Sequence, residues 1–288
     1  MGELCREIVA KNGYSDKITV IQGRAEDVTL PGNVRADVLI SEWMGFYLLH
    51  ESMLNSVIAA RDRFLSPDGV MVPSTATLHM CPVALKDFQR SNFDYWKNVY
   101  GFDFSPALPS VKAARLSQPQ IMSVKSTDCL SDPYLVIELD LMFVGVEDIR
   151  KIYAMPKFVI NKNDLLHGFA VWFDVNFEGE NPAILSTGPD APSTHWCQTV
   201  IVLPDTLLVS KGETVECQLV MSQDDENPRR YNISVEIPED EEDEDRMEDE
   251  EQAEMVEDYV DENVQEENAG DFRDSMQEAI QEALCKSN

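Results

Sequence analysis

The sequence predicts α/β plus β structure: an open parallel sheet, then an antiparallel barrel with a helical insert, then a disordered acidic tail. Three observations carry this. Over residues 1–73 short apolar runs alternate with helical stripes, the grammar of a parallel α/β sheet. Over 74–238 the chain turns to short alternating or apolar segments punctuated by Gly, Pro and Asn, as in an antiparallel barrel or sandwich. Over 239–288 it becomes low-complexity and acidic, with too little apolar content to pack through most of its length.

Each element has its own signal. Leu4, Cys5, Ile8 and Val9 give an i, i+4 stripe, a helix already in progress that Asn12-Gly13 stops. Ile18–Ile21 reads as a short strand and Ala36–Ile40 as another, apolar enough to be buried on both faces. Glu51–Leu65 reads as a helix with Met53, Leu54, Val57, Ile58 and Phe64 inward, ended by Ser66-Pro67-Asp68-Gly69. Val70–Val72 is then a third strand, closed by Pro73.

Beyond Pro73 the strand readings fall at 76–83, 135–141, 167–177, 199–204, 213–221 and 231–237. Between the first two lies an insert, roughly 86–109, carrying Phe88, Phe93, Tyr95, Trp96, Tyr100, Phe102 and Phe104. Two readings stand for it: a docking surface, or a helical arm folded back on its own barrel. In the tail Phe272, Met276, Ile280 and Leu284 fall four apart, which fits a short amphipathic helix or a fraying one of no consequence.

With 288 residues, 43% of them apolar, the chain can bury a sizeable core, so a wholly disordered chain is excluded. The net charge of −30 divides unevenly: 22 acidic against three basic residues from Glu239 onward, and 31 against 20 before it. No basic footprint for a nucleic-acid backbone is visible, and basic proteins or peptides suit this surface better. No apolar run reaches the roughly 18–20 residues of a membrane span. The N-terminus lacks a signal-peptide pattern, and Arg6 stands where a myristoylation signal wants Ser or Thr. The six scattered Cys, with no CxxC, read as free thiols of a reducing compartment rather than as a zinc site. The expectation is a soluble, intracellular protein.

Chemistry concentrates in SEWMGFYLLHESM, Ser41 to Met53, where Glu42 and Glu51 flank an apolar loop at the C-terminal end of a strand. Open α/β sheets place ligands there. A lone glutamate at a strand end is most simply a solvated cap. A second one nine residues on, with Trp43 and Met44 between, favours a cation-binding clamp.

That segment resembles the double-glutamate loop of the protein arginine methyltransferases. STHWCQTV, Ser193 to Val200, resembles their Thr-His-Trp loop, and IQGRAEDVTLP, Ile21 to Pro31, the stretch that contacts adenine. NPRR at 227–230 and HGFAVWFDVNF at 167–177 look most like the nuclear, asymmetric-dimethylating branch. The resemblance covers about 1–237 and implies a set of roles. Glu42 and Glu51 match the glutamates that grip the substrate guanidinium. Glu26 matches the acidic residue on the adenine amino group, with the backbone of Ala25 beside it, and Met53 the methionine near the transferable methyl. His195 and Trp196 match the loop closing the substrate side, His195 as a hydrogen-bond acceptor or proton acceptor. Read without the family, Glu26 is a loop carboxylate, Met53 helix core and Trp196 a barrel aromatic.

The resemblance implies S-adenosylmethionine as cofactor, no metal, histones or other Arg-rich proteins as substrates, a homodimer formed through the aromatic arm, and a nuclear and/or cytoplasmic location. Family members also carry an aromatic N-terminal helix, a GxGxG loop and an acidic residue ending the next strand, none of which stands in this sequence. The expectation is therefore an incomplete Rossmann-like methyltransferase sheet, N-terminally truncated, lacking two strands between 18–21 and 36–40, and a chain inactive by itself. The alternative is a non-catalytic interaction module that pairs with full-length subunits or basic partners.

Overall fold

Helix α1 spans Gly2–Lys11, and Asn12 with Gly13 at φ +74° ends it, as the stripe and its stop predict. The structure, a computed structural model, describes residues 1–238; the acidic tail and the Phe272–Leu284 stripe lie outside the described residues. Residues 18–21 form no strand. The Ile18 N–H donates instead to the Tyr14 carbonyl at 2.8 Å. A strand must exchange its polar backbone groups with a neighbour, and none among the described residues pairs with this segment.

Strand β1, Ala36–Ile40, pairs in parallel with β2, Leu65–Val72, through Val38↔Val70, Leu39↔Met71 and Ile40↔Val72. Parallel neighbours need a crossover, which helix α2, Met53–Phe64, provides. The expected burial of β1 on both faces is not realised. Leu39 packs against the core, whereas Val38 and Ile40 are 48% and 76% exposed, because only one face of the pair is covered among the described residues. In α2, Leu54, Val57 and Ile58 are buried as read, but Met53 on the first turn is 47% exposed. Helix runs directly into strand at Leu65, and Ser66–Gly69, expected as a stop, lie within β2, where a register shift absorbs them.

Strand β3, Thr75–Val83, opens the antiparallel part. It is followed by β4 (Gln120–Met122), β5 (Tyr134–Asp140), β6 (Lys151–Ala154), β7 (Lys157–Val159), β8 (Asp164–Phe177), β9 (Ala183–Ser186), β10 (Gln198–Val209), β11 (Thr214–Glu216), β12 (Gln218–Gln223) and β13 (Tyr231–Glu236). One sheet has the order β4-β10-β8-β3-β5 with β9 beside β8, another β13-β12-β6, and β7 pairs β11. Among the described residues no ladder joins these sheets into one closed barrel. The segment 213–221, read as one strand, breaks at Cys217, whose N–H donates to the Pro156 carbonyl at the corner between β6 and β7. The short strands β4, β6, β7 and β9 carry too few residues to announce themselves by periodicity.

Strand β8 is the spine. Phe169, Val171, Phe173 and Val175 enter the main core with Leu219 and Met221 of β12 and with Leu54 of α2. Ala170 and Trp172 point to a second cluster with Cys81, Val83 and Val200. The alternation follows from the period of two in an extended chain. The insert divides its aromatics. Helix α3 (Lys86–Asn92) packs Phe88 against the second cluster, and Phe93 is buried, its ring 5.8 Å from that of Phe88. Tyr100, Phe102 and Phe104, on the way to α4 (Leu108–Leu116), stay exposed at 81%, 69% and 46%. A last short helix, α5, covers Val146–Arg150. Arg61 ties α2 to the antiparallel part by donating to the Leu141 and Val144 carbonyls at 2.9 and 2.7 Å.

Candidate active site

The loop from Ser41 to Ser52 leaves the end of β1 and folds back on itself before α2 begins. Trp43, Met44, Tyr47, Leu48 and Leu49 are buried, so the apolar residues between the two glutamates anchor the loop in the core. Gly45 and Leu48 exchange both backbone hydrogen bonds, at 2.9 and 3.1 Å. A Cβ on Gly45 would lie 1.7 Å from the His50 carbonyl oxygen, so only glycine permits this approach. Tyr47, Leu48, Glu51 and Ser52 all have positive φ, a conformation non-glycine residues hold only when their surroundings over-determine it.

The fold-back brings both ends of the loop to one cavity of about 150 Å³. Glu42 and Glu51 line it from the two ends, Met53 from the first turn of α2, and His195 and Trp196 from the loop ahead of β10. Five residues singled out in the sequence thus meet, and the exposure of Met53 is explained: it faces this space. Trp196 is buried, its indole N–H donating to the Met44 carbonyl at 2.9 Å and its ring set edge-to-face on Phe173. His195 is exposed, its ring centroid 3.8 Å from that of Trp196.

Ala25 and Glu26 do not line this cavity. They sit one helical turn away: Ser56, three residues after Met53, donates to Glu26 Oε1 at 2.5 Å. That hydrogen bond, followed by the backbone and Arg24, holds the carboxyl of Glu26 below the usual range. Arg63 donates to the carbonyls of Ala25 and Val28. With Ser56 on Oε1 and the Arg24 Nε 3.4 Å from Oε2, the carboxylate still has acceptor capacity left, so Glu26 fits an amino group, as Met53 fits an apolar or sulfonium neighbour.

The electrostatic surroundings of the loop come from residues that sequence reasoning did not assign to the site. Tyr47 donates its hydroxyl to the Tyr231 carbonyl at 2.7 Å, so His50, 2.8 Å away through Nδ1, carries its proton there and donates. Burial pushes the Tyr47 phenol up to about 12 and, as the largest cause, the His50 imidazole below its usual value. Arg229 donates through Nη2 to Glu51 Oε2 at 3.0 Å. Only the NPRR motif marked that position in the sequence, and it carried no indication of a partner 178 residues away. Among the described residues no three His, Cys, Asp or Glu side chains cluster to hold a metal.

Residues 74–240 match the family model of the arginine methyltransferase oligomerization subdomain, more than half of the chain. The chain belongs to the protein arginine N-methyltransferase family. It is 36% identical over 266 residues to the probable protein arginine N-methyltransferase 6 of Arabidopsis thaliana, covering 80% of this chain and 61% of that protein. To protein arginine N-methyltransferase 1 of Saccharomyces cerevisiae it is 38% identical over 236 residues, covering 81% and 66%. The chain therefore spans about two thirds or less of the length of these curated relatives. Among solved methyltransferases of the family, the Trypanosoma brucei PRMT1 enzyme–prozyme heterotetrameric complex with AdoHcy superposes with a TM-score of 0.73 at 32% identity, over 83% of this chain and 74% of that one.

Proposed function

We propose that this chain serves protein-arginine N-methyl transfer from S-adenosylmethionine to guanidinium nitrogens of histones or other Arg-rich proteins. The observation that supports this best is the convergence of Glu42 and Glu51 on one cavity beside Met53 and His195. A guanidinium is planar, permanently protonated and presents a fork of N–H donors. Two carboxylates accept from it in charge-assisted pairs, which fixes its orientation and draws positive charge to one side. The remaining nitrogen gains lone-pair character and is held for attack at about 3–3.5 Å. When bound, S-adenosylmethionine supplies an electrophilic methyl group. Met53 would stand beside it, and Glu26, with the Ala25 backbone beside it, would hold the adenine amino group. Trp196 shields the pocket from water, and His195 takes a hydrogen bond or the proton released from the guanidinium.

The acidic body suits cationic substrates, and the NPRR and HGFAVWFDVNF motifs favour asymmetric dimethylation in the nucleus and/or cytoplasm. The exposed Tyr100, Phe102 and Phe104 favour a homodimer through the 86–109 arm. The same aromatics support the second reading, a non-catalytic module that pairs with full-length subunits. The test incubates the chain, joined at its N-terminus to the GxGxG-bearing segment of a relative, with labelled cofactor and paired peptides that differ only by Arg or Lys. Label on the Arg peptide alone, lost roughly 10- to 150-fold in Glu42→Gln and in Glu51→Gln as charge-assisted bonds weaken, is the expected result. No arginine-selective label and no heat of binding with the cofactor product would reject catalysis and select the interaction module.

A further inference from the structure

We propose that Arg229 is a positioning residue for Glu51, and that the turn between β12 and β13 sets the geometry of the guanidinium clamp. The inference deepens the functional reading above and rests on it. Arg229 holds residue 51 at two points. Its carbonyl accepts the Glu51 N–H at 2.7 Å, and its Nη2 donates to Glu51 Oε2 at 3.0 Å. The first contact fixes a backbone that sits at φ +78°, where a glutamate does not rest unaided. The second engages one carboxylate oxygen from the solvent side, since Arg229 does not line the cavity and its side chain is 74% exposed. Oε1 is left for a ligand in the cavity that Glu51 does line.

The turn that presents Arg229 is itself knitted together. Asp224 Oδ1 accepts the backbone N–H groups of Glu226 and Asn227 at 3.0 and 2.8 Å, and Asp224 and Arg230 close the turn through N–H to carbonyl at 2.9 Å. Neighbouring residues extend the grip: Ser52 donates to the Pro228 carbonyl, and Gln223 donates both to Ser52 Oγ at 3.0 Å and to that carbonyl at 2.7 Å. Tyr47 reaches the Tyr231 carbonyl from the same loop. One short stretch, 228–231, thus meets three loop residues with positive φ, and Arg229 is its member with a charge on the clamp.

The pair is partly exposed, so its effect is bounded at about fivefold. A positioning role and a competing role have opposite signs: freeing the Glu51 side chain weakens capture of a guanidinium, whereas removing a nearby cation strengthens it. The experiment uses the full chain with the Arg and Lys peptides, read by fluorescence anisotropy. Arg229→Gln is expected to weaken Arg-peptide binding about three- to fivefold at unchanged thermal midpoint, and Arg229→Lys to recover it to within about twofold. In the unliganded chain, nitrogen-15 NMR is expected to show slowed exchange of the Arg229 guanidinium protons, abolished by Glu51→Gln. Unchanged or tighter binding in Arg229→Gln, or no recovery with Lys, overturns the inference alone. A parent chain that does not prefer the Arg peptide overturns the functional reading and this inference with it.

Discussion

Trp196 donates its indole N–H to the carbonyl of Met44, 152 residues earlier, at 2.9 Å. Two segments that the sequence marks separately, the Thr-His-Trp loop and the double-glutamate loop, are therefore one structure at their base. Both groups are buried, so neither has water as an alternative partner. Trp196→Phe keeps the ring against Phe173 but leaves the Met44 carbonyl without this donor. The expected cost is about 1–3 kcal/mol of stability by urea unfolding. An unchanged midpoint would mean the contact contributes nothing.

Gly45 is the tightest point of the glutamate loop. In Gly45→Ala the new Cβ meets the His50 carbonyl, a backbone atom that cannot move without opening the Gly45–Leu48 exchange. The variant should lose about 2 kcal/mol or more and should lose arginine-peptide binding beyond what that destabilisation explains. Wild-type binding in this variant would show that the loop tolerates rearrangement.

Burial, the largest cause at each site, holds the imidazoles of His50, His79 and His167 below their usual value. The unfolded chain binds more protons than the folded one below about pH 6.5, the ordinary histidine value. The stability these groups contribute is therefore complete above that pH and is lost as pH falls toward their depressed folded values. Thermal midpoints measured from pH 7.5 to 5.5 should decline, and a flat or rising profile would contradict the assignment.

Only some of the arm aromatics can serve association. Phe93 is buried within the chain, so replacing it would disturb the core and not only a partner surface. Changing Tyr100, Phe102 and Phe104 together to Ser should shift the chain toward monomer in light scattering while leaving the thermal midpoint near its parent value. A parent chain that is already monomeric at micromolar concentration would remove the arm from consideration as an interface.

What local chemistry governs was legible along the chain. The stripe Leu4–Val9 with its Asn-Gly stop, the helix through Leu54, Val57 and Ile58, and the long alternating run of β8 were legible because periodicity and turn residues act within a few positions. The glutamate, histidine and tryptophan positions were legible as motifs. Whatever depends on a distant partner was not. Residues 18–21 carry the composition of a strand but have no ladder neighbour among the described residues, and Val38 and Ile40 lie on a face that nothing described covers. Met53 fits a core stripe as well as a cavity wall, and its direction was decided by the fold-back at Gly45. The division of the arm into buried Phe93 and exposed Tyr100, like the seat of Arg229 on Glu51, was decided by tertiary structure alone, since burial and ion pairing are properties of two surfaces that meet only after the chain has folded.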